Sequence, residues 1–151
     1  MSPQEVEKLA KKYEGIPYKH LGTDIKNGID CFNLSRYILV NELGYTIPYF
    51  SYDFCSDEEE SWYSKITNNP MYKVANDLNK GWKKVSIKDM EAFDIIIMSL
   101  GSTNCINHCA LYLGNNKMLQ TMVGHKSWIT RYGSFYKNYT EGVYRWIGLQ
   151  N

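Results

Sequence analysis

The chain has 151 residues, 44% of them hydrophobic and 22% charged, which is ordinary for a globular protein and suits one domain with its own core. The formal net charge is +1 without a basic block, so nucleic acid is not an expected partner. No apolar run approaches membrane-spanning length and the segment from Met1 to Glu5 is polar. We therefore expect no membrane insertion and no signal peptide, and synthesis in a cytoplasm.

Two amphipathic helices are predicted in the first third of the chain. Ser2 is a capping residue for a helix from Pro3 to Tyr13, whose apolar side chains recur on one face. After a loop over residues 15–22, a second helix runs from Asp30 or Cys31 to Glu42, and Gly44 stops it.

The segment from Pro48 to Lys80 is the hardest to interpret. It contains an acidic cluster at residues 57–60, typical of a solvated helix start, and a candidate short helix from Met71 to Leu78. We interpret the segment as an insertion or a lid.

The second half of the chain predicts a sheet. The β-branched run from Asp94 to Met98 and the apolar run from His108 to Leu113 are typical of buried strands. Glycine and two asparagines at 114–116 predict a hairpin turn into a strand at 117–121. Two further strands are predicted at 128–130 and 143–147. Helices followed by strands indicate an α+β fold.

Cys31 is the candidate nucleophile. A free cysteine is usually a buried packing residue, and the four cysteines are expected to be reduced without a secretion signal. Cys31, however, begins a helix that Asp30 can cap, and the amides that follow can point at the sulfur or at an oxyanion. Cys105 and Cys109 are predicted to be buried hydrophobic residues.

His108 is the candidate general base. A lone histidine beside an apolar strand is often a satisfied core residue, but the hairpin returns the chain so that Gln120 or a neighbour lies across from His108. An amide oxygen there would orient the imidazole toward a thiol. His20 and His125 lie in loops and are predicted to be at the surface, with His20 near the cleft.

A metal site is the competing interpretation of His108 with Cys105 and Cys109. The cluster lacks a second matching ligand pair and a Cys-x2-Cys spacing, so no metal is predicted and no cofactor is required.

These motifs, taken in order, resemble the NlpC/P60 family of cysteine peptidases. The matching segments, which leave out Pro48 to Lys80, are Gly15–Tyr18, Asp30–Asn33, Phe93–Ile96, His108–Gly114 and Lys117–Gln120. The resemblance implies a papain-like α+β fold, with N-terminal helices packed on an antiparallel sheet in a single catalytic domain over residues 1–151.

The same resemblance implies the roles of the site residues. Cys31 would be the nucleophile, His108 the base and Gln120 the orienting group, and Tyr18 and Asp30 would line the subsite for the amino end of the substrate. Phe32 and Asn33 replace the usual Ser-Gly and would reshape that subsite; Phe93 replaces a glycine.

The resemblance also implies a substrate class: the stem peptides of bacterial peptidoglycan, cut near a D-γ-glutamyl bond. Family members without a secretion signal resemble those of bacteriophages, so phage tail proteins are candidate partners, with the protein in the virion or released to the cell wall. One alternative is a non-catalytic virion or binding module with a degenerate site. Another is a thiol acyltransferase or amidase on a different acyl substrate, although such relatives place the histidine before the cysteine.

Overall fold

The computed structural model describes residues 1–48, 81–101 and 107–148. The predicted helix at 71–78, the acidic cluster at 57–60 and most of the proposed insertion lie outside the described residues. Whether residues 1–151 form a single domain therefore stays a prediction.

The first helix, α1, spans Pro3–Lys11 and begins with a capping box. The Glu5 amide donates to the Ser2 hydroxyl at 3.1 Å, and the Ser2 amide donates to the Glu5 carboxylate at 3.2 Å. These two bonds satisfy amides that have no partner within the helix. Val6 and Ala10 are buried on the inward face, as the spacing predicts.

The second helix, α2, spans Cys31–Asn41, within one residue of the predicted bounds. Before it, the chain forms a small antiparallel hairpin of β1, Thr23–Asp24, and β2, Gly28–Ile29. Asp24 holds the turn, because its carboxylate accepts bonds from the Lys26 amide at 2.8 Å and from the Asn27 side chain at 2.6 Å. This hairpin was not predicted.

Six strands form one sheet in the order β3-β8-β4-β5-β6-β7, with every neighbouring pair antiparallel. The strands are β3, Trp82–Val85; β4, Ile95–Met98; β5, His108–Gly114; β6, Lys117–Gln120; β7, Trp128–Arg131; and β8, Thr140–Trp146. A short 3-10 turn, Ile87–Asp89, follows β3, and a short helix, α3, spans Ser134–Asn138. The sequence predicted five of these strands; β3 and α3 were not predicted.

The β5–β6 hairpin turns through Asn115 and Asn116, which have φ angles of 51° and 57°. Asparagine tolerates this left-handed region, and two such residues fit a tight hairpin turn. The predicted turn thus fixes which residues of β5 and β6 face each other.

The helices pack on β5, and both faces of the sheet are covered. The helix-facing core includes Ile38, Leu39, Cys109, Leu111 and Leu119, whereas the opposite face is covered mainly by Tyr132 and its neighbours. This mixed helix and antiparallel sheet confirms the predicted α+β fold. No helix among the described residues is long and apolar enough to cross a membrane.

A charged pair links the residue before β4 to β8, beside the core. Asp94, which is 1% exposed, accepts bonds from Arg145 Nε at 2.8 Å and Nη2 at 2.9 Å. The preceding residue, Phe93, has a φ angle of 76°, a conformation that glycine adopts freely and a bulky residue rarely does.

Candidate active site

Cys31 is the first residue of α2, and Asp30 caps that helix. Asp30 accepts a bond from the Asn33 amide at 2.7 Å and another from the Asn33 side chain at 3.2 Å. The same Asn33 side chain donates to the Gly22 carbonyl at 3.1 Å. Asn33 therefore joins the helix start to the preceding loop and holds the backbone on which Cys31 sits.

His108 is the first residue of β5, and the structure brings it together with both Cys31 and Gln120. Its Nε2 lies 2.7 Å from Gln120 Oε1. The imidazole also contributes, through hydrogen bonding and charge, to lowering the pKa of the Cys31 thiol. Because an amide oxygen can only accept a hydrogen bond, the contact with Gln120 makes Nε2 the protonated nitrogen of His108. Nδ1 is then the nitrogen that can accept the proton of the Cys31 thiol.

Gln120 reaches His108 along a diagonal of the hairpin. Leu111 pairs with Leu119, so Gln120 lies across from Ala110. Ala110 is two residues after His108 on β5, so the side chains of His108 and Gln120 lie on the same face of the sheet. The predicted neighbourhood of these two side chains is therefore present in the structure.

Tyr136 completes this series of contacts and was not predicted. Gln120 Nε2 donates to the Tyr136 hydroxyl at 2.9 Å, which leaves Oε1 of the same amide facing His108. Tyr136 belongs to α3, a five-residue helix without a side-chain cap bond, so the sequence carries little signal for it.

The environment of Cys31 favours the thiolate. Hydrogen bonding from the Cys109 thiol, followed by the hydrogen bond and charge of His108, lowers the pKa of Cys31 well below its ordinary value, against the effect of burial. Burial and the neighbouring Cys31 sulfur raise the pKa of Cys109. Cys109 is buried, as predicted, but its effect on the pKa of the candidate nucleophile was not predicted.

Tyr18 is half-buried beside the start of α2. A parallel bridge joins Tyr18 to Ile29, where the Lys19 amide donates to the Ile29 carbonyl at 3.2 Å. The bridge places the Tyr18 loop next to the residues that precede Cys31.

Asp30, Phe32 and Asn33 are all buried, and Phe32 is part of the hydrophobic core. Burial, followed by the charge of Cys31, raises the pKa of Asp30, while the Asn33 and Phe32 donors oppose this shift. Their predicted contact with a substrate, like that of Tyr18, stays a prediction.

The two remaining histidines are exposed at the surface. Partial burial lowers the pKa of His20, and the charge of Cys31 opposes that shift, so this ring lies within electrostatic range of the sulfur. The His125 ring lies 5.2 Å from the ring of Trp128.

Within the described ranges, no three His, Cys, Asp or Glu side chains are grouped to hold a metal ion, while Cys105 lies outside those ranges. A surface cavity of about 550 Å³ lies between α1, the β5–β6 turn and β7. None of the predicted site residues lines this cavity.

Comparisons with known proteins identify the family. The sequence model of the NlpC/P60 family matches residues 15–145. A search of curated proteins gave no match.

Three solved structures with similar folds are distant in sequence. The NlpC/p60 domain of the peptidoglycan hydrolase SagA is 19% identical with a TM-score of 0.59, over 95% of this chain and 97% of that one. The peptidoglycan hydrolase RipB from Mycobacterium tuberculosis is 23% identical with a TM-score of 0.55, over 96% and 64%. An NlpC/P60 family protein from Bacillus cereus is 17% identical with a TM-score of 0.64, over 97% of this chain but only 41% of that one.

Proposed function

Because the chain belongs to the NlpC/P60 family, we propose that it is a cysteine hydrolase that cleaves an amide bond in bacterial peptidoglycan stem peptides. The observation that carries this proposal is the arrangement of three residues: Cys31 begins α2, His108 begins β5, on which that helix packs, and His108 Nε2 lies 2.7 Å from Gln120 Oε1. A thiol, an imidazole and an orienting acceptor in that order are the components of nucleophilic amide cleavage.

The first half of the reaction forms an acyl-enzyme. His108 takes the thiol proton, and Cys31 Sγ attacks the amide carbon, so that a carbon–sulfur bond forms and the carbonyl oxygen becomes negative. The backbone amide of Cys31, at the first position of α2, has no partner within the helix and is suited to bind that oxygen. The carbon–nitrogen bond then breaks as His108 donates the proton to the leaving amine.

The second half of the reaction releases the product. His108 removes a proton from water, whose oxygen attacks the thioester carbon, and the carbon–sulfur bond breaks as the thiol regains its proton. The Gln120 contact holds the imidazole in one tautomer during both halves. It supplies no negative charge, because Gln120 is neutral.

The family and two of its solved members support the proposed substrate class. Two proteins with the same fold, SagA and RipB, are named peptidoglycan hydrolases. Cleavage near a D-γ-glutamyl bond, with Tyr18 and Asp30 at the subsite for the amino end, is the finer form of the proposal. Association with a phage tail or lysis apparatus stays a prediction.

Mass spectrometry of purified muropeptides tests the proposal. We expect new fragments with the wild type and with His125→Ala, and none with Cys31→Ala or His108→Ala, with folding checked by circular dichroism. His125 is the matched control because it is an exposed histidine outside the predicted site residues. Full activity of Cys31→Ala would refute the mechanism.

The negative outcomes separate the alternatives. If the wild type cleaves nothing but Cys31 alkylates rapidly, the substrate is a different amide or acyl group. If the wild type cleaves nothing and Cys31 is inert, the protein is a binding module with a degenerate site.

A further inference from the structure

Asn107 lies directly before His108, at the point where the chain enters β5. Its side-chain Oδ1 accepts a bond from the Leu100 amide at 2.8 Å, and its Nδ2 donates to the Leu100 carbonyl at 3.0 Å. Its backbone amide donates to the Met98 carbonyl, also at 3.0 Å. These three bonds join the start of β5 to the chain at the end of β4.

A side-chain amide suits this pairing. It carries an acceptor oxygen and a donor nitrogen, so it matches the N–H and the C=O of one backbone residue. An ionised aspartate of the same size could accept from the Leu100 amide but could not donate to the Leu100 carbonyl. The bonds of Asn107 thus continue the pairing of β4 with β5 one step beyond Met98 and His108, which face each other in the sheet.

The other side of this pairing is itself held in place. Ser99, which precedes Leu100, donates its amide to the Tyr139 carbonyl at 2.9 Å and its hydroxyl to the Glu141 carboxylate at 2.5 Å. Tyr139 ends α3, and Glu141 lies in β8. Leu100 is therefore a fixed point, and the side chain of Asn107 ties the start of β5 to it.

The imidazole of His108 depends on where β5 begins. His108 Nε2 lies 2.7 Å from Gln120 Oε1, and Tyr136 holds the other end of that amide. A displacement of about 1 Å at the start of β5 would carry the contact outside hydrogen-bonding range. His108 is thus held through its ring by Gln120 and through its backbone by Asn107.

We propose that Asn107 is a positioning residue for the general base. Its paired bonds to Leu100 fix the start of β5, so that the His108 imidazole stays on Gln120 in the tautomer that leaves Nδ1 to take the thiol proton. The inference rests on the proposed function, because His108 is a base only in a hydrolase, but it does not rest on the identity of the substrate.

NMR of the full chain, with the histidine rings labelled with nitrogen-15, tests the positioning. The Nε2 proton of His108 is buried and bound to Gln120, so we expect a slowly exchanging signal that is absent from His108→Ala. In Asn107→Ala and Asn107→Asp this signal should be lost to exchange with water. Asn41→Ala is the control, because its side chain also donates to a backbone carbonyl, that of Tyr37 at 2.9 Å, but is exposed at the end of α2.

Two results of this measurement would overturn the inference. A His108 signal that persists in both Asn107 variants would show that the ring does not depend on Asn107. A loss in Asn107→Ala alone would assign the effect to side-chain volume, because aspartate keeps the volume and lacks the donor. Amide spectra check the fold of each variant, and Asn107→Asp decides by itself if the alanine variant does not fold.

Steady-state kinetics on a muropeptide supplies a second measurement. In both Asn107 variants kcat should fall by about 10- to 100-fold with KM nearly unchanged, since a displaced base slows proton transfer without altering substrate binding. An unchanged kcat, or a loss confined to KM, would also overturn the inference. If the wild type cleaves nothing, the proposed substrate fails while the imidazole signal still decides the role of Asn107, so the two failures remain distinguishable.

Discussion

Replacing Tyr136 by phenylalanine tests how the imidazole of His108 is oriented. The hydroxyl accepts a bond from Gln120 Nε2 at 2.9 Å, and the opposite end of the same amide lies 2.7 Å from His108 Nε2. Without the hydroxyl, Gln120 Nε2 loses the acceptor that fixes which end of the amide faces His108. A flipped Gln120 would then present a donor to His108 and favour the wrong tautomer.

The magnitude follows from the burial of Gln120, which is 1% exposed. A buried polar group that loses its partner costs about 1–3 kcal/mol. If that cost appears in the activation barrier, kcat/KM falls between about 5-fold and about 150-fold, since about 1.4 kcal/mol corresponds to tenfold. We expect the loss mainly in kcat, because the phenol is not a predicted substrate contact.

Steady-state kinetics on a muropeptide substrate measures this effect, with Tyr139→Phe as the control. Tyr139 caps the end of the same short helix and is half-buried, like Tyr136. A change confined to KM, or an equal loss in Tyr139→Phe, would refute the orienting role.

A double-mutant cycle with Gln120→Glu makes the test sharper. A carboxylate has two equivalent oxygens, so it cannot face His108 the wrong way and needs no orienting hydroxyl. Tyr136→Phe should therefore cost less kcat in the Gln120→Glu background than in the wild type. Equal costs would show that the hydroxyl acts by other means.

Three further predictions concern reactivity and stability. Since the pKa of Cys31 is lowered, its thiolate persists at pH values where an ordinary cysteine is protonated. The rate of Cys31 alkylation by iodoacetamide should therefore inflect at a lower pH in the folded protein than in the unfolded protein. Inflections at the same pH would contradict this prediction. Arg145→Met removes the ion-pair partner of the buried Asp94 carboxylate and should lower the free energy of unfolding in urea by about 3–5 kcal/mol. The control variant, Glu91→Gln, changes an exposed ion pair with Arg145 and should lower it by less than about 1 kcal/mol. Equal losses in the two variants would argue against a role of the buried pair. Asn33→Ala removes two side-chain bonds and should cost about 1–3 kcal/mol in the same assay; an unchanged midpoint would show that the helix start does not depend on them.

The sequence predicts the elements whose signals are local. A capping box marks α1, an aspartate marks the start of α2, and two asparagines mark the β5–β6 turn. The contact of Gln120 with His108 could be predicted because that hairpin has only a short turn, which fixes the register of the two strands.

Short elements and contacts between distant parts of the chain could not be predicted from such local signals. In β3, only Trp82 is buried, so the strand lacks the apolar pattern that identifies its neighbours. Cys109 affects the pKa of Cys31 only because α2 packs on β5, and Tyr136 meets Gln120 only through a helix too short to leave a periodic pattern. Such contacts depend on how distant elements pack, and spacing along the chain does not encode that packing.

The position of β8 in the sheet affects when a nascent chain acquires a reactive thiol. β8 comes last among the described strands, yet it lies between β3 and β4 and is the partner through which β3 joins the sheet. The strand that carries His108, β5, pairs with β4 and β6, whereas β4 gains its second partner only when β8 is added. The sheet is therefore complete only after residues 140–146 have left the ribosome, and such non-local pairing is slow. Because the pKa of Cys31 is lowered by residues of β5, we expect this thiol to gain its reactivity only when α2 has packed on the sheet.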